Sequence, residues 1–327
     1  LVENRFKNHI LLLVASVILT LLTLLPLGIL GIIVTALLTA LVGYTVTKHH
    51  YSFVAVVCAG VLLMYVLFSG NLIASIFTSL PIILCGLSLG IAYNLKISSF
   101  KTIGIFTGVY TLNILSVLML YGSKNGHNAL EQLLSDVSNS FNEFISSESA
   151  QQFLSTSTDV NAETLREITN QVMAIFTMLM PAIIVIACIL FALLNFAIFK
   201  KLLKSLKSDI SFYSEFSLWR ADVSMSVIYF IIVALAMFAP QGNYISAALL
   251  NVVTISTFVF FIFGLSFADY ILTIKLKKQL LRRVILVILT VSSLLVLGFP
   301  FFILVFTGAL DGCFNFRKKY ATNQSNE

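Results

Sequence analysis

Apolar runs of about twenty residues, repeated along the whole chain and broken once by a long polar stretch, constrain this sequence more than any other feature. A bilayer core about 30 Å thick takes about 20 apolar residues per helical crossing. Inside it, a helix satisfies every backbone N–H and C=O within its own segment. Nine such segments can be read, at about 9–25, 29–47, 52–68, 72–93, 102–121, 171–199, 223–239, 244–274 and 284–310. The break is the stretch from Gly122 to Asn170, which holds seven of the 14 acidic residues. The expectation is an all-α integral membrane protein, a helical bundle of eight or nine transmembrane spans with one large polar outer loop. Its parts are a first membrane block over 1–121, the excursion over 122–171 and a second block over 172–327.

Composition removes the soluble alternatives. Hydrophobic residues make up 59%, charged residues 10%, and the mean hydropathy is +1.00, far from a soluble domain of 327 residues. The net charge of +6 would suggest nucleic acid in a soluble protein. Here the basic residues lie between spans, as retention of Lys and Arg at cytoplasmic loops predicts, so no nucleic-acid partner is expected. Cys58, Cys85 and Cys188 sit inside apolar runs. With Cys313 they form no CxxC pair and no metal-ligand spacing. Arg5 and Lys7 precede the first apolar run without a small-residue cleavage site after it, so the first helix is expected to persist.

Within the excursion, Leu130, Leu133, Leu134, Val137, Phe141, Phe144 and Ile145 recur at helical spacing, one apolar stripe suited to a membrane surface. A Ser- and Gln-rich loop over 146–158 follows, and a second helix is expected to start near Asp159 or Asn161. Orientation follows from the basic residues: with the N-terminus cytoplasmic, fifteen of the 20 Lys and Arg fall inside, and the excursion falls outside. Nine spans would leave Arg317, Lys318 and Lys319 outside, against the same rule. The Gly298-Phe299-Pro300 stretch marks a possible break in the last segment, so eight spans stay open beside nine.

No Walker loop, HExxH, GxSxG or spaced intramembrane carboxylate pair is present, so neither an enzyme, a cofactor nor a metal site is expected. His49 and His50, beside Lys48, read as interfacial anchors. Polar side chains inside spans carry the better signal, because burying them without a partner is costly. Asp269, in GLSFADYILTIKLKK, is a candidate substrate or proton group. Six residues before Lys275, it could equally pair with a basic loop. Asn113, Asn195 and Asn251 are weaker ligand candidates, with helix-to-helix hydrogen bonding as the plainer expectation. Trp219 and Arg220 read as an interface anchor. Gly86 with Gly90, Gly104 with Gly108, and Ala36 with Ala40 have the spacing of close helix packing. Pro81 and Pro181 should kink their helices, and broken helices can line sites.

The order LLNFAIFKKLLKSL, FSLWR, GLSFADYILTIKLKK and GALDGCFNFRKK, with LPIILCGLSLGIAYNLK in the first block, resembles the YybS-like family of polytopic membrane proteins from Gram-positive bacteria. The activity of that family is not established, so the resemblance carries over no catalytic residue. Its first block is similar in outline to substrate-binding components of energy-coupling transporters, an analogy of fold alone. The expected function is transport-related binding of a small molecule in the cell membrane, without a nucleotidase of its own. A coupling subunit and an ATPase in trans would then be partners beside the lipid bilayer. The alternative is a non-transporting scaffold or regulator of the cell envelope.

Overall fold

The computed structural model describes residues 2–49, 51–125, 162–240, 243–276, 278–296 and 298–318, with isolated positions between 132 and 143. The apolar stripe and loop expected over 130–158 lie almost entirely outside these residues. So do His50 and Lys319.

Ten helices and one 3-10 turn are described, and no strand among the described residues. They are α1 (Val2–Thr23), α2 (Ile29–Lys48), α3 (Tyr51–Ser69), α4 (Leu72–Asn94), α5 (Ser99–Asn125) and α6 (Ala162–Ser205). After the turn Phe216–Leu218 come α7 (Val223–Phe238), α8 (Tyr244–Lys275), α9 (Gln279–Val296) and α10 (Phe299–Phe314). Six are long and apolar enough to cross a membrane, or seven if α9 and α10 count as one bent span. Among the described residues this count does not confirm the expected eight or nine. The apolar part of α1, His9–Thr23, and α7, Val223–Phe238, are shorter, although both coincide with predicted segments.

The chain divides into two compact units. The first holds residues 1–177 and 187–213; the second holds 178–186 and 214–327.

In the first unit α1 to α5 follow one another through short links. Asn71 starts α4 by accepting the N–H groups of Ile73 and Ala74 on its side chain, satisfying donors left over at a helix start. The tightest packing joins α2 and α4, which run parallel: Gly86 lies against Thr39 and Val42, Gly90 against Gly43 and Val46. A methyl group on Gly86 would come within 2.7 Å of Val42 Cβ, so only hydrogen fits. Asn94 closes the seam by donating to the Val46 carbonyl at 3.1 Å. Ala36 and Ala40 are fully buried. The third small pair differs, since nothing lies within 4 Å of a Cβ built on Gly104 or Gly108.

In the second unit α8 and α10 run parallel and touch backbone to backbone. Gly264 meets the Leu304 carbonyl and Gly308 meets Gly264 and the Phe260 carbonyl. The Phe261 and Phe301 rings stack at 4.9 Å. The last predicted segment is no single straight span, because α9 and α10 are bent by 114° at the break before Phe299. Gly298 precedes α10 and Pro300 stands in its first turn, where the missing proline N–H costs nothing. Both outer ends of this pair return to the same two turns of α8. Arg282, near the start of α9, binds Asp269 and Thr273, while Arg317, past the end of α10, accepts from Tyr270 on its carbonyl and donates to Ser266. The pair therefore leaves and re-enters one end of the unit. The Arg317 end of the pair lies at the same end of α8 as Lys275, the point that the choice between eight and nine spans left open.

Candidate functional site

A cavity of about 310 Å³ opens in the first unit. It is lined by Thr35 and Thr39 of α2, Tyr65 of α3, Phe77, Thr78, Pro81 and Ile82 of α4, and Tyr110 of α5, and by Phe191 of α6. Ile114, Val117 and Leu118 of α5 complete the wall. It lies toward the end that carries the link between α3 and α4, since Tyr65 and Phe77 flank that link closely in sequence.

The chemistry of the wall follows from helical back-bonding. Threonine inside a helix spends its hydroxyl hydrogen on a carbonyl one turn earlier. Thr35 donates to Gly31 at 2.8 Å, Thr39 to Thr35 at 2.9 Å and Thr78 to Ala74 at 3.0 Å. Tyr65 and Thr23 hydroxyls lie 2.7 Å apart. Thr23 donates to the Thr20 carbonyl, so Tyr65 is the donor in that pair. Pro81 adds another acceptor, because it has no N–H to return to the carbonyl of Phe77 one turn before. Tyr110 stacks on Phe191 with centroids 4.6 Å apart, presenting an aromatic wall. No lining residue is charged.

The candidates read from the sequence are scattered. Asp269, 2% exposed, forms an ion pair with Arg282 Nε at 2.8 Å, the plainer of its two readings. Asn113 and Asn195 donate to Val109 and Phe191 of their own helices, at 2.7 and 2.8 Å, rather than across helices as expected. Asn195 Oδ1 is buried with no partner. Only Asn251 bridges helices. Its Oδ1 accepts the Ala182 N–H at 2.9 Å and its Nδ2 donates to the Met178 carbonyl at 2.8 Å. Those two groups are bonding partners in a regular helix, so Asn251 braces α6 around Pro181, which stands inside it. Trp219 is 8% exposed and packs against Phe216, while Arg220 is half-buried.

A second polar centre escaped sequence reasoning. Arg317, 8% exposed, donates through Nε to Asp311 at 2.7 Å and through its other nitrogens to the carbonyls of Ser217 and Trp219. Its guanidinium also lies 5.5 Å from the Tyr270 ring centre. Asn315 makes this possible with its left-handed backbone, φ 49°, which ends α10 and turns the chain back. With every nitrogen engaged, this arginine is a structural lock and not an anion site.

Outside the spans, His49 Nδ1 and His9 Nε2 are 2.8 Å apart, beside Phe53 and Tyr44. Burial, and then the neighbouring His9, hold the His49 pKa below the usual histidine range. Among the described residues no group of three His, Cys, Asp or Glu could hold a metal.

The lining threonines were not singled out from the sequence. Their only signal is a hydroxyl at helical spacing inside an apolar run, at 35 and 39, beside the kink predicted at Pro81.

No curated protein and no solved structure matches the chain. A family model described as predicted membrane protein (DUF2232) matches residues 14–306, spanning both units and the excursion, and the chain belongs to that family of membrane proteins.

Proposed function

We propose that this chain binds a small molecule within the membrane as part of a transport process, with the cavity of the first unit as its binding site. The supporting observation is the cavity itself: a space of 310 Å³ among packed helices, apolar and aromatic with a few convergent polar groups, has the make-up of a ligand pocket. Neither unit offers a nucleotide-binding loop among the described residues, so an ATPase and a coupling subunit would be separate chains. The reading includes a cell-membrane location, the YybS-like kinship, Gram-positive origin and a cytoplasmic N-terminus. Returning the tail to the Lys275 side favours that orientation, because only Lys124 and Arg166 of all the Lys and Arg then remain outside.

The open face at Gly104 and Gly108 favours a second reading, a membrane scaffold or regulator of the envelope that receives a partner helix there. One experiment separates the two. The full chain and a cavity-filled Ile82→Phe variant are purified in mild detergent, and mass spectrometry identifies bound proteins and extracted small molecules. A stoichiometric metabolite present with the native chain and lost from the variant supports binding. Envelope proteins retained equally by both, with no metabolite, support the scaffold and sink the transport reading.

A further inference from the structure

The cavity wall specifies its occupant more narrowly than its volume does. The threonine hydroxyls of Thr35 and Thr78 face it, and each has already donated its hydrogen to its own helix, while Thr39 is fully buried behind them. The Tyr65 hydroxyl hydrogen is committed to Thr23. What these groups retain is lone pairs, and Pro81 leaves the Phe77 carbonyl without the N–H an unbroken helix would return. Four polar groups from three helices thus offer acceptors, while the hydroxyl of Tyr110 is the donor left uncommitted among the described lining residues. With one donor against several acceptors, the wall disfavours a carboxylate or phosphate, most of whose oxygens would be desolvated unpaired. A cation finds no carboxylate in the wall, and burying it without one is equally costly. The stacked pair of Tyr110 and Phe191 offers a flat face for another ring.

Resting on the reading of this cavity as a binding site, we infer that its ligand is an uncharged, flat aromatic molecule carrying N–H or O–H donors, with its donor edge toward Thr35 and Thr78 and its ring beside Tyr110 and Phe191. Each donor meets an acceptor that no protein hydrogen occupies. The same molecule without its donors leaves those lone pairs dry and unpaired, which a buried site discriminates strongly.

Indole, N-methylindole and benzylammonium test the three elements separately. They share an aromatic ring; the second lacks the donor, and the third has donors but also a charge. Binding to the full chain in nanodiscs is followed by saturation-transfer NMR and competition, with Ile82→Phe as the blocked control. Thermal unfolding checks that each variant is folded. Indole is expected to bind the native chain, N-methylindole about tenfold more weakly, and benzylammonium not measurably. Thr35→Val, which removes one acceptor at nearly constant shape, should weaken indole about fivefold and leave N-methylindole unchanged. Thr78→Val, at the exposed rim, repeats the comparison if Thr35→Val folds poorly. Equal binding of N-methylindole or benzylammonium, abolished by Ile82→Phe, overturns the ligand class and leaves the cavity as a site. Absence of binding by every probe, or binding that Ile82→Phe leaves intact, overturns the site reading together with the inference.

Discussion

Two buried arginine–aspartate pairs fix the second unit, and they are not equivalent. Arg317 to Asp311 is buried on both partners, and the guanidinium also serves two loop carbonyls and Ser266. A lysine supplies no planar fork for these acceptors. Arg317→Ala strands a buried carboxylate and should cost about 3–5 kcal/mol, read as a lower unfolding midpoint in detergent. Arg317→Lys should recover only a small part of that loss. Asp269 to Arg282 is more accessible on the arginine side, 20% exposed, so Asp269→Asn should cost less, about 1–2 kcal/mol. If Asp269 holds α9 rather than a substrate, ligand binding to the first unit is unchanged in that variant. A third residue sets a pH dependence. His49 is held below its ordinary pKa by burial and by His9, so protonation favours the unfolded chain. Its contribution is complete above the unfolded value of about 6.5 and is lost as pH falls from there through the folded value. Thermal midpoints should therefore drop between pH 7 and pH 5, and His49→Gln should flatten that slope.

Between helices, the decisive quantity is how closely two backbones approach. Gly264 and Gly308 let α8 and α10 meet with no side chain between them, and the neighbouring Gly312 sits under Ser226. A side chain at Gly264 would strike the Leu304 backbone, which cannot swing aside as a rotamer can. Gly264→Leu should cost about 3 kcal/mol or more, seen as loss of a monodisperse, cooperatively unfolding preparation. Gly104→Leu, with open space beside it, should be close to neutral in the same assay. Both are glycines inside apolar helices, and their spacing does not separate them. Gly308 and Gly312 have the four-residue spacing that marks close packing just as Gly104 and Gly108 do, yet only the former pair is packed among the described residues.

At the level of the whole chain, topology is what the arginines decide. The α9–α10 pair holds 18 and 16 residues, about 27 and 24 Å of helix at 1.5 Å per residue. Both its ends are tied to the 266–273 stretch of α8 by Arg282 and Arg317. In a version with Cys58, Cys85, Cys188 and Cys313 replaced, single cysteines at Lys275 and Lys318 should be labelled by an impermeant maleimide from the same side. A cysteine at Tyr244, at the opposite end of α8, should be labelled from the other. Labelling of 275 and 318 from opposite sides would refute the re-entrant arrangement.

By itself the sequence determined the solvent. Twenty-residue apolar runs admit helices in a bilayer and little else, and every predicted segment is helical in the structure. It also located the break at Gly298–Pro300, because proline and glycine act through their own backbone; α4 and α6 run on through Pro81 and Pro181. Tertiary structure alone decided which polar groups have partners. Asn113, Asn195 and Asn251 look alike as letters in apolar runs, but two fold back on their own helices and one reaches across to α6 beside Pro181. Arg317 looked like a tail charge until the left-handed turn at Asn315 brought it under Trp219. The cavity threonines carried little signal because a hydroxyl inside a helix satisfies itself locally. Only the gap left where five helices fail to meet shows that its lone pairs are free.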